Sequence, residues 1–232
     1  MDHELSSPAI STPDKRREVE VPLRTFHPFT QDQVQRLLSD PQLPQDRRTL
    51  YAIQLLTGAR FNEAVALRWG DCDFASSPLG ALQIAPPIKG RAYKHQHPRR
   101  VPIHPALHQI LADWHSQGWG AVYGRVPTGE DLIIPRPGRP TLVRAAYTER
   151  ECWYRALRAL GLERRPMHQQ RHTFVHLSES AGVPATMLEW LVGRVLANKA
   201  VDLQGGYSWR SLCDAILLLQ WTITGPSEGN DA

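Results

Sequence analysis

His168 and Arg171 stand three residues apart in His168-Gln169-Gln170-Arg171-His172, a spacing that puts both on one face of a helix. A second arginine, Arg60, lies far upstream in Thr57-Gly58-Ala59-Arg60-Phe61-Asn62-Glu63, and a late tyrosine, Tyr207, follows the pair Gly205-Gly206. These are the parts needed to cut a phosphodiester without a metal: a nucleophile, positive charge for the phosphorane-like transition state, and an acid for the leaving oxygen. Arginine suits the second task because its fixed fork of donors grips two phosphate oxygens. Free tyrosine titrates near pH 10, roughly, so it needs neighbouring positive charge and a base to attack at neutral pH. A histidine beside an arginine supplies both, and the glycine pair would let the tyrosine approach a DNA backbone.

Taken singly, each residue has a plainer explanation. Arg60 with Glu63 reads as a helix-surface ion pair, and Thr57-Gly58 as a helix stop. His168 and His172 read as surface or satisfied core histidines, and Tyr207 as packing. Trp69, Trp114, Trp190 and Trp209 sit at apolar positions and are expected in the core. The joint arrangement carries the reading.

The elements that must position these residues are mostly helical. Thr30-Gln31-Asp32-Gln33 is a capping box ahead of Val34, Leu37 and Leu38. Leu50, Ile53 and Leu56 recur at helical spacing from Arg47 to Leu56, and Gly58 is suited to end that helix. A further helix is expected from Phe61 to Trp69. Leu82-Gln83-Ile84 and Val101-Pro102-Ile103 alternate as strands do, giving a small antiparallel sheet whose long hairpin carries Lys89, Arg91, Lys94, Arg99 and Arg100. From Phe74 to Ala112 there is no acidic residue, so this run reads as phosphate-binding or as a solvated basic loop. Helices are expected over Pro105–Gln117, Arg144–Leu160, from Pro166 to about Ala181, from Pro184, and from Trp209 to about Ile223. Gly118–Gly129 and Arg136–Pro140 read as loop and turn. No repeat is visible. Residues 1–25 and 225–232 read as polar tails around one domain, 26–224.

The chain has 232 residues, is 41% hydrophobic and carries a formal charge of +4, enough for one sizeable core and only a mild basic excess. Cys72, Cys152 and Cys213 are odd in number and show no metal-ligand or disulfide spacing. The N-terminus lacks a signal peptide pattern and no apolar run is long enough to span a bilayer, so the expectation is a cytoplasmic, DNA-associated protein with no membrane partner.

Thr57-Gly58-Ala59-Arg60-Phe61-Asn62-Glu63-Ala64-Val65-Ala66-Leu67-Arg68-Trp69-Gly70-Asp71 resembles the first signature box of the tyrosine recombinases, the phage integrase family. His168-Gln169-Gln170-Arg171-His172-Thr173-Phe174 resembles the second. The resemblance runs from about residue 30 to 220. It implies the DNA breaking-rejoining catalytic fold, mainly α with a small antiparallel β-sheet. It implies that Arg60 and Arg171 clamp the scissile phosphate and that Glu63 orients the site. Lys89, with Lys94 as competitor, would be the general acid on the 5′-oxygen, and His168 would assist Tyr207, the nucleophile of a 3′-phosphotyrosine link. Arg91, Arg99, Arg100 and His172 would support the site or touch DNA. The family pattern Leu-Gly-His before the tyrosine is here Leu191-Val192-Gly193-Arg194; Arg194 keeps a hydrogen-bond donor but exchanges no proton. The family also carries a helical core-binding domain ahead of the catalytic one, where this chain has its short polar tail. The implied partners are double-stranded DNA and a homo-tetramer on synapsed sites, with no metal or nucleotide cofactor; the chain reads as a stand-alone catalytic domain, a truncated gene product, or a protein that takes the other half of the grip from a related full-length recombinase. The rival expectations are a decayed recombinase acting as a DNA-binding or regulatory module, and a type IB topoisomerase-like relaxer.

Overall fold

The computed structural model describes residues 27–85, 98–194 and 207–223. The expected tails, the hairpin tip with Lys89, Arg91 and Lys94, and the segment 195–206 lie outside these. Among the described residues the fold is mainly α with two small antiparallel sheets.

The organising element is α2 (Gln45–Thr57), in which every residue from Arg48 to Thr57 is buried. It packs against α1 (Gln31–Ser39), α3 (Phe61–Ala64), α4 (Pro105–Asp113) and α7 (Gln169–Ser180). A helix enclosed on all sides has little water for its polar groups, and among the described residues Tyr51 Oη and Gln54 Oε1 find no partner. Thr49 and Thr57 donate to carbonyls one turn back, and Arg48 donates to Asp40 O. The box ahead of α1 forms as the sequence predicts, with Thr30 and Gln33 capping each other's backbone.

β1 (Cys72–Asp73), β2 (Ala81–Ile84) and β3 (Arg99–Pro102) form a three-stranded antiparallel sheet, with Leu82 opposite Val101 and Ile84 opposite Arg99. Beyond it come α5 (Trp119–Tyr123), the hairpin β4 (Pro135–Arg136) and β5 (Arg139–Val143), α6 (Ala146–Ala159), α8 (Ala185–Leu191) and α9 (Trp209–Leu217).

Several expected boundaries move. The helix expected over Phe61–Trp69 stops at Ala64, because the backbone beyond it pairs elsewhere: Ile133 N donates to Leu67 O and Trp69 N to Asp131 O. The expected loop after Gly118 is helical as far as Tyr123: a π turn (Trp114–Gly118) bridges α4 to α5, and Gly124, at φ 75°, ends it. The turn at Arg136–Pro140 is the β4–β5 hairpin. The helix expected from Pro166 starts at Gln169, with His168 as its N-cap. The last helix ends at Leu217 rather than Ile223, where the chain turns so that Leu219 O meets His104 Nε2 at 2.8 Å. Its stripe Leu212, Ile216 and Leu219 is buried in this same chain. Trp69 and Trp114 are core residues, but Trp190 and Trp209, expected there, are only half-buried. Among the described residues no helix is long and apolar enough to cross a membrane.

Candidate active site

Two left-handed glycines set the site. Gly58 (φ 67°) ends α2, and its amide donates to Gln54 O. A Cβ there would lie 2.6 Å from the Phe174 ring and 2.9 Å from Val192, so only glycine fits. The tight exit delivers Arg60 to the N-cap of α3. Gly193 (φ 67°) follows α8 in the same way and delivers Arg194 to the surface.

Arg171, on the first turn of α7, joins the two exits. It is 8% exposed, and its guanidinium donates to Gly58 O at 2.8 Å and Val192 O at 2.6 Å. The carbonyls at a helix C-terminus lack intrahelical donors and carry its negative dipole, so a guanidinium there is doubly favoured. Burial pulls the Arg171 pKa down to about 9, and the like charges of Arg60, Arg99 and Arg194 add to this while Glu63 opposes it. It remains a cation at neutral pH.

Glu63 is 2% exposed. Its carboxylate accepts from Arg60 N at 2.8 Å and Arg60 Nη1 at 3.2 Å. It also takes a bidentate pair from Arg99, at 3.1 and 2.8 Å. Burial pushes the carboxyl pKa up, but the hydrogen bonds and charge of Arg99 and Arg60 outweigh it and hold the group below its ordinary range. Arg99, expected as a support or DNA contact, is buried: its Nε donates to Leu191 O at 2.8 Å, and its fork is occupied by Glu63. Arg100 is the outward member of that pair. Its guanidinium lies 4.3 Å from the Trp209 ring centroid and reaches Asp73 and Ser76.

His168 and His172 are exposed and pack edge to face, ring centroids 5.8 Å apart. Partial burial lowers the His172 pKa, as do the charges of His168, Arg194 and Arg171, which favours its neutral form. An open cleft of about 550 Å³ lies over this corner, lined by Arg60, Asn62, Tyr147, Arg150, Tyr154 and His168. Tyr147, Arg150 and Tyr154 were not singled out from the sequence. Their i, i+3, i+7 spacing on α6 was the available signal. Arg144, held by Asp46, Glu149 and Pro135 O, fixes the start of α6 against α2 and so sets the cleft wall.

The structure therefore brings together Arg60, Glu63, Arg99, His168, Arg171, His172 and Arg194. It does not bring Tyr207 to them: Tyr207 is 39% exposed, and its hydroxyl hydrogen-bonds Thr186 Oγ1 on the first turn of α8. Val192, which Arg171 grips, is at the other end of that helix, about 9 Å along its axis at about 1.5 Å per residue. Lys89, Lys94 and Arg91 lie outside the described residues. Among the described residues no group of three or more His, Cys, Asp or Glu side chains is placed to hold a metal ion. Chemically, the corner could take an anion: Arg60 lines the open cleft with a part-exposed guanidinium, and Arg194 is exposed beside it.

The model of the phage integrase family matches residues 28–194. Among solved structures, the fold is similar to the integrase from mycobacterium phage Brujita (TM-score 0.62, 16% identity, 93% of this chain and 64% of that one). It is also similar to XerA recombinase (TM-score 0.59, 17% identity, 88% of this chain and 65% of that one). A third is XerH site-specific recombinase bound to its difH substrate (TM-score 0.55, 18% identity, 80% of this chain and 51% of that one). This chain thus spans between half and two thirds of the length of these proteins. Among curated protein sequences, none matches it significantly.

Proposed function

This chain belongs to the phage integrase family, and on that premise we propose that it is a tyrosine-type site-specific recombinase or integrase, which cleaves and rejoins duplex DNA through a 3′-phosphotyrosine intermediate. The observation that carries the reading is the cation-rich corner: Arg60 and Arg99 are bonded to one buried carboxylate, Arg171 lies within electrostatic range of both and of Arg194, and Arg60 lines an open cleft.

The roles follow from chemistry. Arg60 opens onto the cleft with its side chain 35% exposed, free to bind a phosphate oxygen. Arg171 uses two of its N–H groups on backbone carbonyls, and a guanidinium has five. It therefore stabilises the pentavalent transition state through its charge and its remaining donors. His168 takes the phenolic proton as Tyr207 Oη attacks phosphorus. The P–O5′ bond breaks and Lys89, or Lys94, protonates the departing 5′-oxygen. Arg194 donates a hydrogen bond to a non-bridging oxygen. Attack by a 5′-hydroxyl on the phosphotyrosine reverses the sequence, so the bond energy is kept without ATP. To attack, Tyr207 leaves Thr186 and crosses from one end of α8 to the other. The working form is a homo-tetramer on two DNA sites, in the DNA-associated cytoplasm.

A second reading, a DNA-binding or regulatory module descended from such an enzyme, is favoured by two observations: the Tyr207 hydroxyl is seated on Thr186, and an arginine stands where the family has a histidine. One assay separates the two. A nicked suicide duplex taken from DNA flanking the gene should trap a covalent protein–DNA adduct with the wild type and none with Tyr207→Phe. Tight binding with no adduct would establish the second reading.

A further inference from the structure

Two guanidiniums share one buried carboxylate, but from opposite sides. The Glu63 and Arg99 side chains are 1% and 3% exposed, whereas Arg60 is 35% exposed and faces the cleft. Arg99 makes a two-bond fork with Glu63; Arg60 makes a single side-chain bond to it, at 3.2 Å. We propose that Arg99 is a positioning residue of the strand-transfer site: by neutralising Glu63 from behind, it leaves the charge of Arg60 available to a DNA phosphate. This rests on the reading of Arg60 as a phosphate ligand.

The physical reason is the cost of an unpaired buried charge. Without Arg99, the guanidinium hydrogen-bonded to Glu63 is that of Arg60, and the carboxylate draws it inward. The Arg60–Glu63 couple is then electrically neutral and offers a phosphate little. With Arg99 present, the three groups together carry one net positive charge, and it sits on the member that faces solvent. The same guanidinium reaches further. Its Nε holds Leu191 O at the end of α8, and it packs so closely under Gly193 that a Cβ there would lie 2.9 Å from Nη1. It also stands on β3, the strand at the root of the basic hairpin. One buried side chain thus links the Arg60 turn, the exit to Arg194 and the hairpin.

The test is the salt dependence of binding of the full chain to a mixed-sequence DNA duplex, with thermal unfolding as a check on folding. Losing one phosphate contact lowers the slope of log K against log salt by about one. Arg60→Ala should show that loss, and Arg99→Met should show it too, with affinity at low salt reduced about 10-fold to 100-fold. The double variant Arg99→Met/Glu63→Gln should regain the wild-type slope, because no carboxylate remains to capture Arg60. If Arg99 only held the fold together, the double variant would be no better than the single one, and that result overturns the proposal. Should Arg99→Met not fold, Arg99→Lys keeps the charge against Glu63 and is expected to keep the wild-type slope; a lower slope overturns the proposal. An unchanged slope in Arg60→Ala would instead remove the phosphate reading, and this inference with it.

Discussion

Arg171 is a structural cross-link as well as a candidate catalytic group. Among the described residues no other donor reaches Gly58 O or Val192 O, and one planar fork serves both. Lysine keeps the charge but presents its donors from a single atom, which cannot hold two carbonyls in that geometry. Arg171→Lys should therefore lower unfolding stability by about 1–3 kcal/mol as well as abolish strand cleavage. Chemical denaturation reads the first effect; unchanged stability would mean that the bridge carries no load. At this scale the meeting of Arg60, His168 and Arg171 at one corner was legible in the sequence, from two segments that resemble the family's signature boxes. The work of Arg99 was not. Its partner Glu63 is 36 positions away, and in the sequence it stands in a basic run beside Arg100 with nothing to mark it as the inward member. The seat of Tyr207 on Thr186 was equally hidden, since it depends on where the chain returns to α8.

The elements that deliver these residues depend on a few exact stops. Gly58→Ala would need a positive φ that L-residues avoid and would place a methyl 2.6 Å from the Phe174 ring, so a loss of about 2–4 kcal/mol is expected. The variant should also displace Arg60 and weaken cleavage beyond its effect on stability; a variant as stable as the wild type would refute the packing account. His104 joins two elements. Its Nδ1 accepts from Ala106 N at 3.1 Å, capping α4, so the proton is on Nε2, which donates to Leu219 O beyond α9. Burial lowers its pKa, against the opposing effect of the Leu219 bond. The unfolded chain then binds a proton more readily than the folded one. The stabilisation is complete above the unfolded pKa, about 6.5, and is lost as pH falls through the lower folded value. The melting temperature should drop from about pH 7 to about pH 5, and drop less in His104→Asn, which keeps a helix cap but does not titrate. An equal drop in both would assign the effect to other groups, such as His172. The helices with clear periodicity were legible: α1, with its capping box, and α2, α6 and α8 stand close to where the sequence puts them. The helix after Phe61 was misjudged because its backbone finds partners in residues 129–133, a pairing between distant segments that local pattern does not encode.

Across the whole molecule, the mild net charge of +4 says little, while its distribution says much. Cations converge around one buried carboxylate at the mouth of a cleft, and the family match spans the helices that hold them. The mainly α class and the central sheet were legible from periodicity. The π turn joining α4 to α5 was not, because it depends on packing against α2 rather than on local composition; of the β4–β5 hairpin only the turn was legible. The arrangement leaves one requirement open to direct observation, the transfer of a DNA strand to a tyrosine about one α8 length from the clamp. The most direct measurement is peptide mapping of the protein after reaction with the nicked suicide duplex. The account predicts a DNA strand joined through its 3′-phosphate to Tyr207, and none in Tyr207→Phe. A strand joined to another residue, or cleavage that leaves no protein-linked DNA, would contradict it.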